Sequence, residues 1–274
     1  MARVTGRNLT VGEELAIVSP DGTRIAFRRS GRGEPLVLVH GTSADRARWT
    51  RVLPQLETRF TVFAVDRRGR GASGDAPGYE IEREFEDVTA VVDAIGEPVT
   101  LLGHSYGGIC ALEAALRTTA LRRLILYEPP IPVGAEIYAP GVRDRMRELL
   151  AAGDGEGILT TFMTDVVRMP AEEVEYFRSL PVWAGRVAAA HTVVREIDAH
   201  DAYRFERERW RDLATPTLLL LGSESPPFLV AATELLHETL PHSTLRLLPG
   251  QRHVAMETAP ALFSKEVVRF ATAD

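Results

Sequence analysis

A single cysteine, Cys110, stands in the whole chain. An internal disulfide is therefore excluded, and such usage fits a reducing cytosol. Lysine is as scarce: Lys265 is the only one among 32 basic residues, the rest being arginine. The net charge is -6 and the arginines are scattered, which argues against nucleic acid as a partner. No run approaches the ~20 apolar residues that a membrane span requires, so no membrane partner is expected. No basic start leads into an apolar stretch, so a secretory signal is not expected either. These exclusions point to a cytoplasmic chain whose partner is a small molecule, with a homodimer left open. At 274 residues, 45% of them hydrophobic, the chain can build a full core. That length suits one large α/β domain, or a domain with an insertion.

What is present alternates. Residues 1–14 read as a polar lead-in. Ala16-Ile17-Val18 and Arg24-Ile25-Ala26-Phe27-Arg28 flank Ser19-Pro20-Asp21-Gly22, a turn signal that predicts two antiparallel strands. After a turn over residues 31–35, Leu36-Val37-Leu38-Val39 is a continuous apolar run, as a strand buried on both faces should be. A helix is expected near residues 46–57, a second buried strand over 61–65, and a helix over 81–95. Further strands are predicted at 99–102, 121–127, 217–221 and 244–248, and a closing helix at 260–270. Strands alternating with helices imply a parallel sheet with helices on both faces. Residues 131–213 break the rhythm. They show helical spacing in 142–151, 157–167, 171–178 and 183–197, and no strand run. The division expected is a core of 1–130 and 214–274 with a helical cap of 131–213. An insertion after a parallel strand's carboxyl end belongs beside the crevice where ligands bind.

The stretch carrying chemistry is Gly103-His104-Ser105-Tyr106-Gly107, between a strand and the helix starting at Ile109. A serine on a tight strand-to-helix turn is strained, and a Cβ at either flanking glycine would clash with the turned chain. Such a turn lifts the Ser105 hydroxyl above the strand end and aims helix N–H groups at what it attacks. A serine nucleophile needs a base. His253, in the loop after the last strand, is placed for that role. His40 precedes Gly41 and shapes a turn, and His104 is the variable position of the elbow. His237 and His242 fall near a surface helix and turn. His191 and His200 lie in the insertion, where solvated or substrate-lining roles suit them better. The glycine-rich run Arg67-Arg68-Gly69-Arg70-Gly71 lacks GK[ST] and leads into no helix, so phosphate binding by that motif is not expected.

His40-Gly41, Asp66-Arg67-Arg68-Gly69-Arg70-Gly71-Ala72-Ser73, the Ser105 elbow and the late His253 follow in the order seen in serine esterases of the α/β-hydrolase family. The chain resembles that family over nearly its whole length outside the insertion. The resemblance implies a doubly wound, mostly parallel eight-stranded sheet, no cofactor and no metal. It places oxyanion donors at the N–H groups of Tyr106 and Thr42. The triad acid departs from the common pattern. Most relatives carry an aspartate in the loop after the strand at 217–221, where this chain has Ser225. Glu128, ending the strand after the nucleophile helix, is then the favoured acid, as in a minority of the family, with Glu224 as the rival.

Three functions remain open on the sequence. The first is hydrolysis of a carboxylic ester or lactone through an acyl-enzyme. The second uses the same triad for carbon–carbon bond hydrolysis, perhydrolysis or acyl transfer. The third is a ligand receptor without turnover. Trp183 and His191 are the substrate-binding residues named from the insertion, with Phe162, Met163, Tyr176 and Phe177 as further possible walls.

Overall fold

The five parallel strands at the centre of the sheet are apolar at most positions, and the pleat sends alternate side chains to opposite faces. In the computed structural model, which describes residues 12–134 and 137–273, this divides the apolar core in two. Leu36, Leu38, Val62, Ala64, Leu102, Ile125 and Leu220 join one cluster. Their neighbours Val37, Val39, Phe63, Val65, Leu101, Leu126 and Leu219 join the other.

The strands are β1 (Glu13–Val18), β2 (Arg24–Gly31), β3 (Glu34–Val39), β4 (Phe60–Val65), β5 (Val99–His104), β6 (Leu121–Tyr127), β7 (Thr217–Gly222) and β8 (Ser243–Leu248). They form one sheet in the order β1-β2-β4-β3-β5-β6-β7-β8. The β1–β2 and β2–β4 pairs are antiparallel and the rest parallel. The expected eight-stranded, doubly wound α/β architecture is what the chain adopts. Because β3 to β8 run the same way, the loops after them gather along one edge of the sheet, where open α/β sheets bind ligands.

The helices are α1 (Leu53–Leu56), α2 (Ile81–Ile95), α3 (Tyr106–Ala114), α4 (Val142–Ala151), α5 (Gly155–Thr161), α6 (Ala171–Arg178), α7 (Trp183–Ala188), α8 (His191–Ala202), α9 (Pro227–Thr239), α10 (Ala255–Thr258) and α11 (Pro260–Ala271). The segment between β6 and β7 holds α4 to α8 and, among the described residues, no strand.

Several boundaries differ from the sequence reading. Most of the polar lead-in lies outside the described residues, but Glu13 and Glu14 already pair in β1. The turn at 31–35 is shorter, since Glu34 and Pro35 are in β3. The helix expected over 46–57 is a 3₁₀ turn, Arg46–Trp49, followed by α1. Pro54 explains the break: it has no N–H to donate back, so it sits in the first turn of a new helix. The helix expected over 157–167 begins at Gly155 and ends in a wider π turn, Phe162–Val166. The helix expected over 183–197 is two helices, broken at Ala189 and Ala190.

Candidate active site

The elbow is as tight as its glycines require. Ser105 has φ 54° and ψ -127°, a conformation costly for any residue with a Cβ. A Cβ on Gly103 would stand 2.4 Å from the Gly107 carbonyl oxygen, and one on Gly107 would stand 2.3 Å from that of His40. A Cβ on Gly41 would meet Ser105 Cβ at 2.8 Å. Three chain segments thus converge on the serine more closely than any larger residue allows. Among the described residues, the N–H groups of Thr42 and Tyr106 are used by no other hydrogen bond.

His253 approaches from the loop after β8. Its Nδ1 lies 2.5 Å from Glu128 Oε2, so the carboxylate accepts the Nδ1–H. Glu128 is fully buried and has φ 47°, another strained position just past the end of β6. Its second oxygen, Oε1, accepts from the Gly222 N–H at 2.7 Å and from the Ser225 hydroxyl at 2.6 Å. Ser225, where relatives of the resembled family carry their acid, here helps to hold a carboxylate delivered from the neighbouring strand. Glycine is needed at 222, because a Cβ there would stand 2.3 Å from the Gln251 carbonyl oxygen. Glu224 points away from this group: its side chain is exposed, and its N–H bonds the Gln251 carbonyl.

Two further residues shape the loop of His253. His104, buried inside the elbow, donates its Nε2–H to the His253 carbonyl at 2.8 Å, with the two rings 4.6 Å apart. Burial, and then the neighbouring His253, hold the His104 pKa well below the usual imidazole value, so it remains a neutral donor. The Tyr127 hydroxyl donates to the Arg252 carbonyl and accepts the Ala255 N–H at 3.1 Å. Neither role is legible in the sequence, since both depend on a loop more than a hundred residues away.

Ser105 and His253 open onto one narrow cavity. Phe228 and Leu229 of α9 form one side. Ile137, Tyr138, Phe162, Val166, Val167, Ile197 and His200 of the segment between β6 and β7 form the other. The π turn accounts for two of these, rolling Phe162 and Val166 onto the cavity, with Val167 just past its end. His200 donates its Nε2–H to the Pro130 carbonyl at 2.5 Å and accepts the Tyr138 hydroxyl at 3.0 Å, which fixes a neutral wall. Burial lowers the His200 pKa. Apart from Ser105, His253, the Thr42 and Tyr106 N–H groups and Glu196, whose Oε2 has no hydrogen-bond partner among the described residues, the lining is apolar or already engaged. No arginine or lysine lines it.

Trp183 and His191 are not in that lining. Trp183 packs half-buried against the core, and His191 is exposed, with Nε2 3.9 Å from Asp75. Of the other walls named from the insertion only Phe162 reaches the cavity; Tyr176 is exposed, and Met163 and Phe177 are buried elsewhere in the core. The break at Ala189 and Ala190 is the reason: a helical face counted continuously from 183 to 197 misaligns both halves.

Glu196, which sequence reasoning missed, lies where the cavity meets the arginine loop. Arg67 donates to Glu84 through Nε at 2.7 Å and Nη2 at 2.6 Å, and to Glu196 Oε1 at 2.6 Å. Its guanidinium covers the Tyr106 ring at 4.7 Å. Arg68 is paired with Asp87 and Asp21; burial pushes the Asp21 pKa up, but the hydrogen bonds from Arg68 and Thr23 together outweigh it and bring the pKa down to about 2. The Cys110 thiol is fully buried on α3 and its pKa is pushed up by burial. Among the described residues no group of three or more His, Cys, Asp or Glu could hold a metal ion. No described helix is long and apolar enough to cross a membrane.

Residues 36–266 match the profile of the Alpha/beta hydrolase family. An alpha/beta hydrolase of Sphaerobacter thermophilus shares 35% identity and a TM-score of 0.82, over 94% of this chain and all of that one. An esterase from a Rhodococcus species shares 28% identity and a TM-score of 0.71, over 96% and 99% of the two chains. A 2-(acetamidomethylene)succinate hydrolase of Mesorhizobium japonicum is 24% identical over 89% of this chain and 90% of its own length.

Proposed function

Because this chain belongs to the alpha/beta hydrolase family and is a hydrolase, we propose that it cleaves carboxylic esters or lactones of small, uncharged molecules through an acyl-enzyme. The observation that carries this reading is the buried Glu128–His253 pair opening, with Ser105, onto one apolar cavity. Glu128 accepts the Nδ1–H of His253 and fixes the tautomer whose Nε2 is free to take the Ser105 proton. Ser105 Oγ attacks the carbonyl carbon. The developing oxyanion is received by the N–H groups of Thr42 and Tyr106, each worth roughly 3 kcal/mol. The imidazolium returns its proton to the leaving alkoxide, and the acyl group stays on Ser105. Water, deprotonated by His253, then releases the acid.

In this reading residues 131–213 act as a helical cap that selects the substrate. It is supported by Ile137, Tyr138, Phe162, Val166, Ile197 and His200, which share the cavity with Ser105. A succinate-type dianion, as in the name of the Mesorhizobium hydrolase, would meet no cation in the lining and would face the Glu196 carboxylate. Burying an unpaired carboxylate there is costly. A neutral ester loses nothing of the kind.

The test pairs a fluorophosphonate label with two substrates, a p-nitrophenyl butyrate and the matching half-ester of succinate. Labelling should appear in wild type and vanish in Ser105→Ala. The neutral ester should be preferred in kcat/KM by roughly a hundred-fold, the size expected when a charge must be stripped of water without a partner. Absence of labelling would reject the nucleophile, and a preference for the half-ester would reject the substrate class.

A further inference from the structure

The cavity of Ser105 is small. Its free volume is about 40 Å³, room for a few waters or for the ester group itself, and none for a chain of several carbons. A larger cavity, of about 260 Å³, lies behind one of its walls. Pro132, Arg143 and Asp201 line it with Ile137, Tyr138 and His200, and these last three also line the cavity of Ser105. They are therefore a wall with a cavity on each face. The outer cavity meets solvent: Arg143 and Asp201, paired at its rim, have side chains 39% and 51% exposed. A molecule entering there from water reaches the wall before it reaches Ser105.

The three wall residues are not held alike. Ile137 is buried in the core cluster. His200, on α8, is bonded at both ring nitrogens, to the Pro130 carbonyl at 2.5 Å and to the Tyr138 hydroxyl at 3.0 Å. Tyr138 makes one side-chain hydrogen bond among the described residues, that to His200. Its ring stands edge-on to the His200 imidazole with centroids 5.9 Å apart, and the Arg143 guanidinium lies 5.4 Å from its centroid. A single neutral hydrogen bond is a weak fastening, since water replaces it once it opens. The ring also has somewhere to go. Tyr138 lines a third cavity, of about 320 Å³, with Ala139, Pro140 and Arg143. A turn of one side chain thus joins the first two spaces and moves neither a sheet strand nor the triad. Joined, they reach the lower end of the range for small-molecule sites, roughly 300–1,000 Å³.

We propose that Tyr138 is a latch between the two cavities, and that the outer cavity is a subsite for an uncharged carbon chain of the substrate. This rests on the hydrolase reading above: the ester group lies at Ser105, and its chain passes through the gap that Tyr138 leaves. Pro132, Ile137 and the Tyr138 ring give the chain its apolar contacts. Arg143 and Asp201 already neutralise each other, so the rim offers no spare charge to an ionised chain. The chain belongs either to the acid or to the alcohol of the ester, and the two are separated by the test.

Methyl acetate, methyl hexanoate and hexyl acetate are hydrolysed side by side by the full chain, and a small fluorophosphonate labels Ser105 as the check on the nucleophile. Tyr138→Ala should raise the kcat/KM ratio of the long ester to methyl acetate roughly ten-fold, the order expected when one latching hydrogen bond no longer limits the open population. Tyr138→Phe keeps the ring and loses the bond to His200, so it should raise the same ratio less, and through KM rather than kcat. Pro132→Trp fills the outer cavity and should lower the ratio. A response in methyl hexanoate places the acyl chain in the subsite, and one in hexyl acetate places the alcohol there. Ratios that do not move, or that fall in Tyr138→Ala, overturn the proposal and leave the reading of Ser105 intact. Absence of both labelling and methyl acetate turnover rejects that reading, and this proposal with it. Should Tyr138→Ala fail to fold, Tyr138→Phe and Pro132→Trp decide by the same ratio, which must rise in the first and fall in the second.

Discussion

Glu128→Gln is the sharpest perturbation of the proposed mechanism. The carboxylate is fully buried and makes three hydrogen bonds, one to His253 Nδ1 and two, from Gly222 and Ser225, to its other oxygen. A glutamine of the same shape keeps its carbonyl oxygen on Gly222 and Ser225, both of which are donors. Its NH₂ then faces His253 Nδ1. Two donors cannot bond, so the imidazole must move its proton to Nε2, where it can no longer accept from Ser105. Loss of the correct tautomer together with the compensating charge should lower kcat by roughly ten-thousand-fold. That is about 5.4 kcal/mol of transition-state stabilisation. Folding should survive, because a neutral amide of equal volume replaces a buried charge. The assay is p-nitrophenyl ester turnover at pH 8, with circular dichroism as the check on folding. Glu224→Gln, at an exposed side chain, should leave kcat unchanged. Ser225→Ala removes one bond to Oε1 and should cost about ten-fold, as expected for one hydrogen bond to a charged group. A folded Glu128→Gln within ten-fold of wild type, or a crippled Glu224→Gln, refutes the assignment.

Arg67→Met strips Glu84 and Glu196 of their shared cation in a site where all three are buried, and should destabilise by about 3–5 kcal/mol in urea unfolding; a loss below about 1 kcal/mol would show that the cluster is not what holds α8 to the core. Stability should also fall in mild acid. His40, His104 and His200 are held below the usual imidazole pKa, chiefly by burial, so they are neutral when folded. Once pH falls below about 6.5 the unfolded chain binds more protons at these groups, and stability is lost as pH drops further towards their folded values. Three such groups give a limiting slope of about 4 kcal/mol per pH unit, and equal urea midpoints at pH 7.5 and 5.5 would contradict it.

The strands, the turns and the elbow were legible because their causes are local. A run such as Leu36–Val39 is apolar at every position because the strand is buried on both faces, and it stays a strand whatever surrounds it. Gly103, Ser105 and Gly107 declare a turn because only glycine tolerates carbonyl oxygens at 2.3–2.4 Å from a would-be Cβ. Even so, Pro54 and the break at Ala189 moved helix boundaries that periodicity alone ran together. The site depended on distance in sequence. Glu128 and Glu224 were two carboxylates at two strand ends. Their difference is that one is buried against His253, 125 residues on, and the other faces solvent. His104 holds the His253 carbonyl across 149 residues, and Arg67 holds Glu196 across 129. The apolar cavity likewise arises where α8 and the π turn roll against the strand ends, and helical spacing identifies a buried face without saying what it faces. Backbone conformation follows from each residue's near neighbours. Charge pairing, tautomers and cavity lining follow from which strand ends the sheet order brings together, and that order belongs to the folded chain alone.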